Sequence, residues 1–227
     1  MTTLESHSGA IPEKTPRRAA LASFMGSAVE YYDFFLFGSA AALIFPHVFF
    51  PHGNETTAQL MSFMTFGFAY IARPIGAFVL GHFGDRIGRQ RVLMFTLVLM
   101  GLSTFLIGCI PSYASIGAAA PVLLVLCRLM QGFSAAGEQA GASSLTLEHS
   151  PDHQRAYFTS WTLTGTQGGL ILASLVLIPF LALPDEAKYS WGWRVPFWCS
   201  ALVVVVAYFI RRQLHETPQF IEAKEAG

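Results

Sequence analysis

The stretch Gly81-His-Phe-Gly-Asp-Arg-Ile-Gly-Arg-Gln-Arg91 lies between two long apolar runs, Leu60–Phe83 and Val92–Ile110. Its glycines permit a tight turn, and Asp85 can cap the N-terminus of a following helix. The three arginines, at positions 86, 89 and 91, suit a membrane surface because anionic headgroups attract basic side chains. The pattern therefore predicts two membrane-spanning helices joined by a short basic turn.

The composition of the whole chain is typical of a membrane protein. Of its 227 residues, 53% are hydrophobic and 12% are charged, whereas a soluble domain carries about 25% charged residues. Fourteen basic and fourteen acidic residues give a formal net charge of zero, which excludes a basic nucleic-acid-binding protein. Since each span needs about 20 apolar residues, the chain has room for about six helices.

Six apolar runs are bounded by turn-forming residues, and the runs at 97–100 and 203–206 lack the alternation of transmembrane barrel strands. We predict spans at Ala19–Phe45, Leu60–Phe83, Val92–Ile110, Pro121–Leu147, Tyr157–Phe180 and Val195–Ile210. The expected fold is all-α, a six-helix membrane bundle over residues 19–213. Residues 1–18 are expected to form a disordered cytoplasmic tail, and residues 214–227 the start of a cytoplasmic loop.

The basic residues outside the spans indicate the orientation of the bundle. Ten fall on one side of the six-span arrangement: Lys14, Arg17, Arg18, Arg86, Arg89, Arg91, Arg155, Arg211, Arg212 and Lys224. Only Lys188 and Arg194 fall on the other. Because short basic loops stay in the cytoplasm, both termini of this multi-pass inner-membrane protein are expected there.

Charged side chains also lie within the predicted spans. They are Glu30, Asp33, Arg73, Arg128 and Glu138. Each costs about 2.5–3.5 kcal/mol at mid-helix on the insertion scale, so such residues face partners or a water-filled path. Ion pairing of Glu30 or Asp33 with Arg73 or Arg128 would be a purely structural alternative.

Polar residues recur at helical spacing on the first, second, fourth and fifth spans and are sparse on the third and sixth. We predict that the four polar helices line a cavity, while the third and sixth support it against lipid. The polar helices occupy equivalent places in two groups of three. This arrangement suggests a 3+3 inverted repeat.

Two motifs resemble those of the major facilitator superfamily. One is the turn motif formed by Gly81, Asp85, Arg86, Gly88 and Arg89, and the other is Arg128-Leu-Met-Gln131-Gly132-Phe133 on the fourth span. Three further stretches resemble the metabolite:proton symporter family, which includes transporters of shikimate, oxoglutarate and proline/betaine: Glu30-Tyr-Tyr-Asp33-Phe34-Phe35, Ala72-Arg73-Pro74-Ile75-Gly76 and Ser190-Trp-Gly-Trp-Arg-Val-Pro-Phe197. The resemblance covers residues 17–220.

The resemblance implies the N-terminal half of a twelve-helix secondary transporter, with protons as the coupling ion and no other cofactor. It implies a small organic acid or osmolyte as substrate, and the lipid bilayer and a missing C-terminal six-helix half as partners. The implied roles are proton coupling at Glu30, Asp33 and Arg128, substrate contact at Arg73, Gln131, Glu138 and Gln167, and a cytoplasmic gate at Gly81, Asp85, Arg86, Gly88 and Arg89. Glu148 is expected to pair with Arg89.

Two other interpretations of the sequence stay open. Ser143, Ser144, His149 and His153 raise the possibility of an intramembrane hydrolase or a metal site, but a Gly-x-Ser-Gly core is absent and the histidines lie in or beside a proline-containing loop. We therefore assign no catalytic or metal residues. The other reading is a six-helix protein that works as a paired half-transporter.

Overall fold

The computed structural model describes residues 14–50, 54–148 and 150–212, with side chains except at 14–16, 89, 139–145, 148, 152 and 211. Every regular element in these ranges is helical. Six helices are long: α1 (Lys14–Leu43), α2 (Glu55–Ile87), α3 (Arg89–Cys109), α4 (Ala119–Glu148), α5 (Arg155–Leu181) and α6 (Arg194–Arg212). Short helical turns connect them at Phe45–Val48, Tyr113–Ile116, Asp152–Gln154, Asp185–Ala187 and Lys188–Gly192.

The six predicted spans are all confirmed as helices. Their bounds differ from the predicted ones by up to five residues, and α1 begins at Lys14, inside the segment expected to be a disordered tail. Pro16 suits this position, since the first turn of a helix needs no N–H donor from proline. Residues 1–13 and 213–227, which include the rest of that tail and the loop at 214–227, lie outside the described residues.

Two helix pairs approach each other closely where glycines replace larger side chains. A Cβ on Gly132 of α4 would lie 2.1 Å from the carbonyl oxygen of Ala69 on α2, and one on Gly169 of α5 would lie 2.4 Å from that of Ala28 on α1. The pairs α1–α5 and α4–α2 are equivalent if the first three helices correspond to the last three. The packing therefore agrees with a 3+3 repeat.

Arg194 fixes the start of α6 to the end of α3. Its guanidinium donates hydrogen bonds of 2.8 Å to the carbonyl oxygens of both Gly108 and Ile110. Gly108 lies in the last turn of α3 and Ile110 directly follows the helix, so their carbonyl oxygens have no helical partners. Arg194 also lies over the ring of the fully buried Trp193, 4.7 Å from its centroid.

Replacing Arg194 with Ala is expected to destabilise the bundle by about 2 kcal/mol, because hydrogen bonds from a charged donor are lost at a helix end. The measurement is the unfolding midpoint of the purified chain in lipid or detergent. Lys188→Ala is the matched control, since the contacts of the Lys188 ammonium with Asp185 and with the Tyr189 ring stay within one connecting segment. Equal midpoints for the two variants would contradict the anchoring role.

Apolar side chains cover much of the outer surface, especially on α2 and α5. Phe78 is 81% exposed and Leu163 is 68% exposed. Among the described residues, four helices are long and apolar enough to cross a membrane, and the 41° bent pair Asp185–Gly192 with Arg194–Ile210 would make a fifth. α1 is not among these apolar helices because Glu30 and Asp33 lower its mean hydropathy, although both carboxylates are buried inside the bundle.

Candidate functional site

A polar pocket lies among α1, α2, α3 and α4. Its lining consists of Glu30, Asp33, Phe34, Ala69, Tyr70, Arg73, Met100, Arg128, Gln131, Gly132 and Ala135. The structure thus brings together five residues for which the sequence predicts proton-coupling or substrate roles. The close approach of α2 to α4 at Gly132 places the second span beside the fourth and helps to close the pocket wall.

One ion pair joins α1 to α2 in this pocket. Arg73 Nη2 donates to Glu30 Oε1 at 3.2 Å, with side-chain exposures of 34% for Arg73 and 5% for Glu30. The Arg73 guanidinium also lies 5.1 Å from the ring centroid of Tyr70. The structural ion pair expected as an alternative is therefore present for these two residues, and Arg73 keeps part of its surface open to the pocket.

The second arginine is almost fully buried. Arg128 is 3% exposed, and its guanidinium lies 4.1 Å from the ring centroid of Phe37 and 4.7 Å from that of Phe66. Aromatic faces attract a cation, which offsets part of the loss of hydration. Arg128 Nη1 donates to Gln131 Oε1 at 3.0 Å, one turn further along α4.

A chain of hydrogen bonds continues from Gln131 to the buried carboxylate of α1. Gln131 Nε2 donates to Thr104 Oγ1 at 2.7 Å, and Thr104 Oγ1 donates to Asp33 Oδ2 at 2.5 Å. Asp33 and Arg128, both of them described, make no direct ion pair. The buried positive and negative charges therefore communicate through two neutral side chains contributed by α4 and α3.

Thr104 is the member of this hydrogen-bonded chain that the sequence prediction did not assign to the site. The third span was expected only to support the cavity, yet it supplies Thr104 to the chain and Met100 to the pocket. Thr96, Met100 and Thr104 are spaced four residues apart, so they share one helix face. This spacing was the available signal, although neighbouring Ser103 looks equally polar in sequence and bonds only Leu99 O in its own helix.

Two predicted substrate residues lie away from this pocket. Glu138 is 1% exposed and lies beside α3, where its Oε2 is 3.5 Å from Thr96 Oγ1. Gln167 is exposed on α5, with its amide 3.5 Å from Thr166 Oγ1. The structure does not bring either residue together with Asp33 and Arg128, and their substrate roles stay predictions.

The predicted gate lies at the arginine-rich end of the bundle. α2 is helical through Ile87, and the connection to α3 is Gly88 alone, with φ 101° and ψ 140°. Such a positive φ favours glycine because it has no Cβ.

The predicted gate residues Gly81, Asp85 and Arg86 are exposed on the last turns of α2. The side chains of Arg89 and Glu148 lie outside the described residues, so their pairing stays a prediction.

The residues that raised the hydrolase alternative do not form a described site. His149 and the side chains of Ser143 and Ser144 lie outside the described residues, and His153 is exposed. Within the part of the chain that the structure describes, no three His, Cys, Asp or Glu residues are grouped to hold a metal ion.

Comparison with known sequences places these motifs in a family. A model of the family "Sugar (and other) transporter" matches residues 19–226. The inner membrane metabolite transport protein YhjE of Escherichia coli is 43% identical, over 99% of this chain and 51% of that protein. The shikimate transporter of Escherichia coli is 43% identical, over 93% of this chain and 49% of that protein. The proline/betaine transporter of Salmonella typhimurium is 39% identical, over 90% of this chain and 41% of that protein.

Solved structures share the fold at low sequence identity. The partially occluded inward-open form of the Escherichia coli xylose transporter XylE matches with a TM-score of 0.80 and 16% identity, over 93% of this chain and 51% of that chain. A D-xylose-proton symporter matches with a TM-score of 0.77 and 19% identity, over 92% of this chain and 51% of that chain. The chain thus spans about half the length of the transporters that it matches. These relatives are transporters and not enzymes. This chain belongs to the sugar (and other) transporter family of the major facilitator superfamily.

Proposed function

We propose that this chain is the N-terminal six-helix half of a symporter that moves a small polar or carboxylate-bearing metabolite together with protons across the cytoplasmic membrane. The observation that carries the proposal is the buried chain from Arg128 through Gln131 and Thr104 to Asp33. Ionisable residues inside a membrane protein mark ion pathways and proton relays. A carboxylate at one wall of a polar pocket can change charge without any other cofactor.

The coupling follows from charge balance in the pocket. Protonation of Asp33 removes the negative charge at the end of the chain, so Arg128 loses part of its counter-charge. An anionic group of the substrate then becomes a more favourable occupant. Arg73 is the more exposed arginine, and its planar guanidinium matches a carboxylate in geometry. Substrate and proton therefore load together.

The complete transporter would contain a second six-helix half. Relatives of about twice the length support this arrangement, and exposed apolar residues along α2 and α5 support contact with further helices or lipid. We place both termini in the cytoplasm, because ten basic residues fall on one side of the six spans predicted from the sequence and only two on the other. The two halves would rock around the pocket to alternate its access.

Uptake by the full-length transporter tests the proposal. Dicarboxylates, shikimate and betaine are offered to proteoliposomes with an imposed pH gradient, acidic outside. We expect accumulation of one of these classes that ceases when a protonophore collapses the gradient. Accumulation that persists after the collapse, or that follows a sodium gradient instead, would overturn proton coupling.

The gate is tested by replacing Asp85 with Asn. If Asp85 stabilises the closed cytoplasmic gate by about 1.4 kcal/mol, removing its charge makes the state open to the cytoplasm about tenfold more populated. A reporter cysteine at the pocket residue Ala135, in a background without Cys109, Cys127 and Cys199, should therefore react about tenfold faster with a membrane-impermeant maleimide added from the cytoplasmic side.

Asp185→Asn is the control for that experiment, because Asp185 is an exposed acid at the other end of the bundle, with 80% of its side chain accessible. A labelling rate that is the same in Asp85→Asn and Asp185→Asn would exclude a latch at Asp85.

A further inference from the structure

We propose that Thr104 of α3 is a positioning residue for proton coupling, which orients the Asp33 carboxylate and transmits its charge state to Gln131 and Arg128 of α4. The proposal rests on the proposed function, since it takes Asp33 as the carrier of the coupled proton. The side chains of Asp33, Thr104 and Gln131 come from three helices and meet at the hydroxyl oxygen of Thr104. All three are buried, with exposures of 3%, 0% and 4%.

The direction of every hydrogen bond in the chain is set by chemistry. A guanidinium can only donate, so Arg128 must face the carbonyl oxygen of the Gln131 side chain. The amide NH2 of Gln131 therefore faces Thr104, whose oxygen accepts it. The single hydroxyl proton of Thr104 then has two acceptors within reach, Asp33 Oδ2 at 2.5 Å and the Met100 carbonyl oxygen at 3.1 Å.

These two acceptors make the Thr104 hydroxyl responsive to the state of Asp33. When Asp33 is ionised, the hydroxyl proton is directed to the carboxylate, which is the stronger acceptor. When Asp33 takes a proton from water, its O–H can donate to Thr104 Oγ1, and the hydroxyl proton turns to Met100 O. The bond between α1 and α3 thereby reverses, while Thr104 continues to accept from Gln131.

The surroundings of Asp33 single out Thr104 as its direct partner. Asp33 interacts electrostatically with Glu30 and Tyr32 on its own helix and with Arg128 on α4. Glu30 is paired with Arg73 of α2. The Tyr32 hydroxyl donates to Pro196 O of α6 at 2.6 Å.

Within the described part of the chain, the hydrogen bond to the Asp33 carboxylate comes from Thr104, while Asp33 Oδ1 has no hydrogen-bond partner.

The test compares Thr104→Val, which keeps the shape and removes the hydroxyl, with Thr104→Ser, which keeps the hydroxyl. Uptake by the full-length transporter is measured as a function of pH. Losing a hydrogen bond to the charged form makes proton binding easier, so the midpoint for Thr104→Val should move up by about one pH unit. Thr104→Ser should restore the wild-type midpoint.

Ser103→Ala is the matched control, because Ser103 is equally buried on the same helix and bonds only the carbonyl oxygen of Leu99. It should leave the pH profile unchanged. A wild-type midpoint in Thr104→Val, or the same shifted midpoint in Thr104→Ser, would overturn the role of the hydroxyl.

A second measurement does not depend on transport. The infrared band of a protonated carboxyl group is titrated in the purified chain in lipid, and the part due to Asp33 is identified by its loss in Asp33→Asn. This band should show the same shift of about one pH unit in Thr104→Val and, if that variant is poorly folded, in Thr104→Ala. Unshifted bands would reject the inference. If Asp33→Asn instead leaves uptake fully dependent on the pH gradient, another group carries the coupled proton and the inference about Thr104 fails. Wild-type uptake that ignores the pH gradient would instead overturn the proposed function.

Discussion

Replacing Asp33 with Asn is expected to abolish proton-driven accumulation of substrate while leaving downhill exchange in place. The side chain of Asn has the same shape, and its oxygen can still accept the Thr104 hydroxyl, so the buried contacts of Asp33 persist. Asn cannot take up a proton, however, so the pocket keeps one charge state through the whole cycle. A gradient of about two pH units supports about 100-fold accumulation with one proton, at 1.36 kcal/mol per unit. The variant should only equilibrate its substrate.

The measurement is the ratio of internal to external substrate at steady state, together with the rate of counterflow exchange. Counterflow shows that the variant is folded and still binds its substrate. Asp185→Asn makes the same replacement at an exposed carboxylate outside the pocket and should accumulate substrate normally. A 100-fold ratio retained in Asp33→Asn would transfer the coupling to another group, with Glu30 as the first one to examine.

Replacing Gly132 with Ala is expected to have the largest effect on stability. The new Cβ would lie 2.1 Å from Ala69 O and 2.7 Å from Ala69 Cα of α2. These are backbone atoms, so no side-chain rotation relieves the clash, and the two helices must separate. Overpacking costs about 1–3 kcal/mol where neighbours adjust, and more where they do not. We therefore expect a loss of at least about 3 kcal/mol, with a large fall in the yield of monodisperse protein.

The matched control is Gly67→Ala on α2, where an added Cβ meets no atom within 4 Å. Alanine favours a helix by about 1 kcal/mol over glycine, so this variant should be as stable as the wild type or more so. The unfolding midpoint of the purified chain in detergent is compared for both variants. Similar midpoints would show that α2 and α4 do not need their close contact at Gly132.

Hydropathy predicts the helices of this protein well, because a membrane span must be both long and apolar. The cost of burying charge also explains why Asp33, Arg73 and Arg128 were found to share a site: each needs a partner inside the bundle. Thr104 carries no such signal. A threonine can satisfy its hydroxyl on the preceding turn of its own helix, as the 3.1 Å contact with Met100 O shows, so its presence in an apolar run demands no explanation.

The neighbours of a helix face are harder to predict than the face itself. Glu138 follows Arg128 by ten residues, which rotates it by about 80° around the helix at 3.6 residues per turn. That rotation brings it to α3 and Thr96 instead of the pocket. The anchoring by Arg194 was missed for a similar reason. The sequence indicates a basic residue near the membrane surface, but only the fold shows that the carbonyls of Gly108 and Ile110 end within its reach.

The length of α2 makes it a lever. Its 33 residues extend about 50 Å at 1.5 Å per residue, whereas the hydrocarbon core of a bilayer is about 30 Å thick. If this helix tilts by about 10° around its middle, each end moves by about 4 Å over a half-length of about 25 Å. Because only Gly88 separates it from α3, the first turn of the next helix must move with that end. Spectroscopic probes at Glu55 and Ile87 would therefore record a small rotation near the pocket as a large displacement at either membrane surface.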